Sequence, residues 1–362
     1  MKKIGVIGAG QLGLMLGQAG RGLGLEFTFL DPASGPPAAS AGAVLSEAFD
    51  SEGGLLMLSN CDVVTFEFEN VPVAALEVLS QKVPVFPPPT ALQHAQDRLN
   101  EKRLFESLNI PVPAWHAVSS PEDLDTAIRT VGLPLVLKTR RFGYDGKGQY
   151  VARTAQEAQQ ALQQAGDSAL IAEEWVEFER EVSMIGARSE SGETVVYPMT
   201  DNEHANGILR VSRAPADGPG IARRGAQYLE DLMRRLEYVG VLALEMFVAG
   251  DRLLANEFAP RVHNSGHWTI EGSRTSQFEN HLRAILGLPL GATAAVGHSG
   301  MINLIGSLPD NLQLLQASGF HLHDYRKEAR PGRKLGHVTI VAPDPAARDQ
   351  ELHKALKTIG IQ

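Results

Sequence analysis

The chain has 362 residues, length for two or three domains, with a formal net charge of −9, 43 % hydrophobic and 21 % charged residues. That is a water-soluble globular composition, and without a long basic block it argues against a nucleic-acid partner, which needs a cationic face. The lone cysteine, Cys61, excludes an internal disulfide and suits a cytoplasmic location; no apolar run of about 18 residues reads as a membrane span, and the glycine-broken start is too short for a signal peptide.

Residues 4–7 read as a buried strand, residues 12–23 as a helix, residues 27–30 as a second strand and residues 61–66 as a third. This alternation predicts an α/β fold opening with a parallel, doubly wound, Rossmann-like sheet. Four prolines within residues 84–89 predict a rigid linker. Residues 97–108 form a helix carrying Arg98 and Lys102. Ser120-Pro121 starts another helix, and Thr154 with Glu157 forms a capping box for a third. Between these helices lie strands at 135–139 and 149–152, so residues 118–166 read as a small α+β lid. Strands resume at 170–173, 181–187 and 194–199, followed by a helix over 220–239. Residues 241–248 and 253–258 form a hairpin, and Ser276 and Glu279 cap a helix to 286.

Gly8-Ala9-Gly10-Gln11-Leu12-Gly13 follows a strand and opens a helix, with Asp31 ending the next strand. That is the dinucleotide fingerprint in its usual context and, considered alone, would make an NAD(P) oxidoreductase the leading idea; a hydride enzyme has no need of a second phosphate loop such as Gly143 to Gln149, which disfavours it. The competing reading is a tight turn that needs glycine whatever it binds, and that offers free N–H groups to any phosphate, including a mononucleotide's.

The most informative run is Lys138-Thr-Arg140-Arg141-Phe-Gly143-Tyr144-Asp145-Gly146-Lys147-Gly148-Gln149, an apolar strand ending in lysine that leads into a loop of glycines and cations. Glycines admit anionic oxygens close to backbone N–H groups and the cations neutralise them, as a triphosphate requires. The alternative is a solvated glycine-rich hairpin. Downstream, the hairpin sets Glu245 opposite Asn256 or Glu257. Carboxylates on apolar strands are costly unless paired, and Mg²⁺ held by two of them plus phosphate oxygens would relieve the repulsion; a solvent-facing acid is the bland reading. Glu173 and Glu181 suit a ribose hydroxyl or adenine amine, or plain ion pairs.

Arg261, His263, Asn264, Ser265 and His267 follow within seven residues and suggest anion recognition. Zinc on His263 and His267 is disfavoured, because Gly266 interrupts a helix and no third ligand completes the site. A second cationic loop, Arg326 to Lys334, carries five cations in nine residues and points to an anionic second substrate such as a sugar phosphate; a solvated turn is the alternative.

With Thr65-Phe-Glu-Phe-Glu-Asn-Val-Pro72, Gly143 to Gln149, Asn256-Glu-Phe-Ala-Pro-Arg-Val-His-Asn-Ser-Gly-His-Trp268 and Arg330-Pro-Gly-Arg-Lys-Leu-Gly-His337 in view, the chain resembles the ATP-grasp enzymes, and within them the 5-(carboxyamino)imidazole ribonucleotide synthases of purine biosynthesis. The resemblance implies an N-terminal Rossmann-like domain at 1–97, an ATP-grasp region at 98–290 with its lid, and a C-terminal subdomain of mixed sheet at 291–362, in a homodimer. It implies ATP on Arg98, Lys138, Gly143 to Gln149, Glu173, Glu174, Trp175, Val176, Glu181, His204, Asn256 and Glu257, with Mg²⁺, or Mn²⁺ in its place, on Glu245 and Glu257. The ribonucleotide would contact Gln11, Leu12, Glu67 with the neighbouring Glu69, Tyr144, Asp145, Arg261, His263, Asn264, Lys327, Arg330, Arg333 and Lys334. Asp145 is the candidate general base, with Arg261, His263 and Lys327 steadying bicarbonate and product. The expected reaction is ATP- and bicarbonate-dependent carboxylation of the amine of 5-aminoimidazole ribonucleotide. Competing readings are a formate-using ATP-grasp transformylase, the oxidoreductase, and a nucleotide sensor, which would have no need of the Glu245/Glu257 pair.

Overall fold

Short β-branched and aromatic runs separated by helices build the N-terminal layer of the computed structural model, which describes residues 1–143, 148–309 and 319–360. β1 (Lys3–Ile7), α1 (Gln11–Arg21), β2 (Glu26–Leu30), β3 (Ala43–Leu45), α2 (Glu52–Leu58), β4 (Val63–Phe66) and α3 (Val73–Ser80) alternate, and the strands lie parallel in the order β3-β2-β1-β4. The proline run, expected to be a rigid linker, is docked on the sheet instead. Val64 N donates to Pro84 O and Phe86 N to Val64 O, each at 2.9 Å, so Val85 extends the sheet as a parallel bridge before α4 (Pro89–Ala95) begins. The prolines fall where no ladder N–H is needed.

After α5 (Arg98–Ser107), a second unit forms from β5 (Trp115–Val118), α6 (Pro121–Thr130), β6 (Leu135–Thr139), β7 (Gln149–Ala152), α7 (Ala155–Ala165) and β8 (Leu170–Glu174), an antiparallel sheet ordered β5-β8-β6-β7. The lid sheet is therefore wider than residues 118–166: β5 and β8 pair with each other and β8 with β6, which sets its limits at Trp115 and Glu174. Thr154 Oγ1 accepts from Glu157 N at 3.2 Å, while the Glu157 carboxylate accepts from Arg153 N at 2.6 Å, one residue earlier than in a capping box.

The large sheet runs β14-β13-β9-β11-β12-β15-β17-β16, with β10 also on β9. Its elements are β9 (Arg180–Arg188), β10 (Thr194–Val196), β11 (Thr200–Ala205), β12 (Ile208–Ala214), α8 (Pro219–Arg235), β13 (Gly240–Ala249), β14 (Arg252–Ala259), α9 (Thr269–Gly272), α10 (Gln277–Ile285), β15 (His298–Ile305), β16 (His321–Asp324), β17 (Lys334–Ala342) and α11 (Pro345–Thr358). The β11–β12 hairpin goes beyond the strands expected from sequence, although Asn206-Gly207 is its signal: both residues have positive φ, 53° and 73°, as a tight hairpin turn demands. The stretch beyond His337 completes the sheet. α11 packs against it because Gly300 has no Cβ; one there would sit 2.6 Å from Leu352 Cγ.

One core cluster joins Ile4, Val6 and Phe29 of the first sheet to Ile185 of the large one, to Trp268 at the start of α9 and to Phe278 of α10. His281 on α10 pins this junction. Its Nδ1 accepts from Val241 N at 3.1 Å, and its Nε2 bonds Thr65 Oγ1 at 2.9 Å. Burial pushes its pKa down to about 4. The unfolded chain, with an ordinary imidazole, takes up a proton from about pH 6.5 downward while the folded chain resists until about 4, so folded stability falls across that window, by about 3 kcal/mol. In His281→Gln, this part of the pH dependence of Tm between 4 and 6.5 should vanish; a slope equal to that of the unaltered protein would contradict the assignment.

Candidate active site

The β13–β14 hairpin settles a register the sequence left open. Ala243↔Ala259 and Leu244↔Phe258 lead to Glu245↔Glu257, after which a bulge lets Met246 face Ala255, so Asn256 is the extra residue. The bulge turns Asn256 so that its two polar ends serve two lysines: Lys102 Nζ donates to its carbonyl at 2.7 Å and Lys138 Nζ to Oδ1 at 3.4 Å.

Around this hairpin the charges interlock. Lys138 Nζ lies 2.8 Å and Lys102 Nζ 3.4 Å from Glu173 Oε2. Burial alone would raise the Glu173 pKa, but Lys102, Lys138 and Arg98 bring it down to about 2. Burial pulls Lys138 below the usual lysine range despite Glu173. Glu173 Oε1 is buried without a hydrogen-bond partner among the described residues, an acceptor left over for a ligand. Glu257 keeps 41 % of its side chain exposed to the cleft, and Arg98, 2.8 Å away, holds its carboxyl low against the desolvation there. Glu245, more enclosed, is pushed up to about 7 by burial and then by the charge of Glu257. Two opposed carboxylates, one kept from ionising by the other, fit a divalent cation completed by phosphate oxygens. They do not make a protein-only cage: among the described residues no three His, Cys, Asp or Glu side chains gather around a common point.

The remaining residues expected to line the nucleotide come from β9, β11, the end of β8 and the two ends of the glycine loop. His204 Nδ1 lies 2.9 Å from Glu181 Oε2, which, after the opposing effect of burial, lifts the imidazole above its ordinary pKa. At the end of β8, Trp175 is half-exposed, Val176 is buried, and the Glu174 carboxylate accepts from Ala114 N at 3.2 Å, facing the lid's edge strand. Gly143, Gly148 and Gln149 flank the glycine loop; Gly148 has φ +71°, and a Cβ there would meet Thr139 Oγ1 at 2.5 Å. Tyr144, Asp145, Gly146 and Lys147 lie outside the described residues.

The glycine turn of β1–α1 gives a clear correction. Its N–H groups are not all free for a phosphate. Glu67 Oε1 accepts from Gly10 N at 2.8 Å and Oε2 from Gly13 N at 3.3 Å, and a Cβ on Gly8 or Gly10 would meet Glu67 Oε1 at 2.8 Å. The glycines make room for the chain's own carboxylate, at the position where a dinucleotide's pyrophosphate would bind. Asp31 is engaged too, accepting from Ala9 N and Ala33 N at 2.8 Å each. This removes the ground for the oxidoreductase reading.

Beside the plugged turn a second group assembles. Gln11 Oε1 accepts from Lys327 Nζ, while the Leu12 side chain packs into the core, leaving only its main chain for a ligand. Arg261 lies 2.8 Å from Glu69, whose carboxyl is raised by desolvation against that pairing. Arg333, Lys334 and Arg330 gather near Lys327 and, after burial, help bring its pKa down to about 8 against the pull of Glu67. Both amide atoms of Asn264 are buried without a hydrogen-bond partner among the described residues. His263 points its Nε2 at Glu245 Oε1, 3.1 Å away, and so joins the two groups. His267 is a core residue, 4.9 Å from the His337 ring and bonded to Gln277.

Three contributors lie outside the site expected from sequence. Lys102 sits on the expected helix, but its pairing with Glu173 and Asn256 gives it a role the sequence did not assign. Glu101, pushed up to about 8 by burial, accepts from Phe258 N at 2.7 Å and ties α5 to the hairpin. Asp97 caps α5 and receives Arg140 at 2.7 Å, which anchors the start of the glycine loop. Their signal was the Arg98-x-x-Glu101-Lys102 spacing, which places Arg98 and Lys102 on one helix face.

A lysine-bearing lid sheet and a large antiparallel sheet with acids paired on its edge hairpin define an ATP-grasp enzyme; residues 103–278 match the ATP-grasp domain model, residues 1–96 the ribonucleotide synthetase preATP-grasp domain and residues 299–351 the phosphoribosylaminoimidazole carboxylase C-terminal domain. The chain is 49 % identical over 345 residues to the N5-carboxyaminoimidazole ribonucleotide synthase of Pseudomonas aeruginosa, covering 95 % of this chain and 96 % of that one. The N5-carboxyaminoimidazole ribonucleotide synthetase structure from Thermus thermophilus superposes with a TM-score of 0.95 at 49 % identity over 99 % of both chains. The synthase from Aspergillus clavatus, solved with ADP and 5-aminoimidazole ribonucleotide, matches with a TM-score of 0.90 at 30 % identity over 99 % of this chain and 98 % of that one. The chain belongs to the N5-carboxyaminoimidazole ribonucleotide synthase family.

Proposed function

We propose that this chain carries out the family's reaction in the cytoplasm as a homodimer: ATP and bicarbonate carboxylate the exocyclic amine of 5-aminoimidazole ribonucleotide, releasing ADP and phosphate. The observation that carries the reading is the in-register Glu245/Glu257 pair, set between the Lys138–Glu173–Asn256 group and the Lys327–Arg261–Asn264 group.

In this reading ATP lies between the lid sheet and the large sheet. Lys138 and the glycine loop hold its phosphates, Arg98 keeps Glu257 ionised, and Glu173, Glu181 and His204 line the nucleotide. Glu245 and Glu257 would hold Mg²⁺, which offsets the charge spreading over the transferred phosphoryl group. A bicarbonate oxygen attacks the γ-phosphorus, the bond to the β–γ bridging oxygen breaks, and ADP leaves with carboxyphosphate behind. The amine then attacks the carboxyl carbon, or the CO₂ it releases; phosphate departs and the nitrogen loses a proton, for which Asp145 is the base. Arg261 and Lys327 neutralise bicarbonate and the new carboxylate, the Arg330 to Lys334 loop takes the ribonucleotide's phosphate, and Asn264 supplies a donor and an acceptor for its imidazole. His263 is buried and, beside Arg261, held well below its ordinary pKa, so it serves as a neutral N–H donor and not as an acid. The lid excludes water from carboxyphosphate.

The test is ADP release measured with 5-aminoimidazole ribonucleotide and either bicarbonate or formate. ADP and the carboxyamino product should form only with bicarbonate and the ribonucleotide together. Formate-dependent turnover would replace this reading with a transformylase.

A further inference from the structure

We propose that Ser212, Asn202, Ser183 and Ser265 form a one-way hydrogen-bond relay that fixes His263 as the Nε2–H tautomer and thereby aims its N–H at Glu245. All four are buried, and only Ser265 belongs to the run read from sequence as anion-recognising. Ser212 Oγ donates to Asn202 Oδ1 at 2.8 Å, Asn202 Nδ2 to Ser183 Oγ at 3.0 Å, and Ser183 Oγ to Ser265 Oγ at 2.8 Å. Ser265 Oγ then lies 2.9 Å from His263 Nδ1.

The direction follows from a donor that cannot reverse. Ser265 N, 3.3 Å from Nδ1, carries a backbone hydrogen, so Nδ1 must present its lone pair. The Ser265 hydroxyl, already accepting from Ser183, points its own hydrogen at the same nitrogen. With Nδ1 an acceptor, a neutral ring carries its proton on Nε2, 3.1 Å from Glu245 Oε1. The opposite tautomer would set an Nδ1–H against the Ser265 N–H and break the order of every hydroxyl behind it. Gln277 clamps the same residue from the other side, with Oε1 accepting from His263 N at 2.9 Å and Nε2 donating to His263 O at 2.7 Å. The relay thus ends on one oxygen of Glu245 and leaves Oε2 for the cleft. The four residues are positioning residues acting through His263, and the inference rests on the reading of Glu245 as part of the active site.

The experiment is a long-range ¹H–¹⁵N correlation spectrum of the histidine rings in the full-length protein, with His263 assigned through its backbone, alongside kinetics of Ser183→Ala. Wild-type His263 should show a protonated Nε2 and a bare Nδ1. In Ser183→Ala, two links from the ring, the Ser265 hydroxyl loses the donor that orders it, so the Nδ1 ¹⁵N signal should shift as that nitrogen loses its hydroxyl hydrogen bond while the Ser265 N–H keeps the proton on Nε2, and kcat should fall about tenfold while KM for ATP stays within about twofold. A wild-type ring protonated at Nδ1 overturns the proposal, as does a Ser183→Ala protein that keeps either the wild-type ring signal or the wild-type kcat. If Ser183→Ala does not fold, the wild-type spectrum decides. If the family reaction were misassigned, wild-type turnover with bicarbonate would be missing while the ring spectrum stayed interpretable, so the two failures are distinct.

Discussion

Glu257→Gln should lower bicarbonate-dependent ADP release about a thousandfold and leave the fold in place. Glutamine keeps the length and one acceptor, and the site is part-exposed to the cleft, so the substitution removes charge without opening a cavity. Two consequences follow from that lost charge. Arg98 loses its hydrogen-bonded partner at 2.8 Å but keeps the charge of Glu173 nearby, so the fold can stand. Glu245, held up to about 7 by burial and by Glu257, is released from the second of these and ionises more readily. A monocarboxylate floor then faces the triphosphate with too little charge to hold a divalent ion. Steady-state ADP release and a thermal melt measure both halves of the prediction. Wild-type turnover in a folded Glu257→Gln protein would remove the acid pair from the mechanism.

Lys327→Met should raise KM for the ribonucleotide about a hundredfold while changing KM for ATP little, because a charge-assisted hydrogen bond to an anionic or polar substrate group contributes about 1.5–3 kcal/mol. The lysine reaches from the C-terminal loop to Gln11 at the N-terminal glycine turn, so it bridges two parts of the chain at the second substrate's side. Its pH behaviour gives the sharper version. Burial, with Arg333, Lys334 and Arg330 nearby, lowers its pKa to about 8 against the opposing pull of Glu67. The ammonium is therefore present below about 8 and lost above it, so KM for the ribonucleotide should climb as pH rises through 8. Lys327→Arg keeps its charge throughout and should flatten that limb even if its fit is poorer. A ribonucleotide KM independent of pH from 7 to 9 in the unaltered enzyme would contradict the role given to this lysine.

Much of this site was legible because its chemistry forces unusual residues into ordinary patterns. Glu245 and Glu257 stand out on apolar strands, and the cationic loops interrupt a net acidic chain. The single-residue register of the hairpin was not legible, because the bulge at Asn256 depends on Lys102 and Lys138, which arrive from distant segments. The glycine turn misled for a related reason. Its sequence prescribes a close approach of some anion to the backbone, and only the tertiary fold reveals that the anion is Glu67. The prolines at 84–89 spell rigidity, yet a docked edge and a rigid linker need the same stiffness. The β11–β12 hairpin carried its turn signal in Asn206-Gly207, hidden by the polar run Asp201 to His204, whose residues pair with other elements. His263 was expected to face bicarbonate directly; its partner on the cleft side is Glu245, a contact no spacing rule predicts.

In the proposed reaction the γ-phosphoryl group passes to bicarbonate and not to water. Turnover with ¹⁸O-labelled bicarbonate in unlabelled water tests it most directly, read by mass spectrometry of the inorganic phosphate released. Attack by a bicarbonate oxygen leaves that oxygen bridging carbon and phosphorus, and cleavage on the carbon side leaves it with the phosphate, so each phosphate should carry one label. Phosphate free of label, formed at the same rate as ADP, would mean that water is the acceptor and would contradict the account.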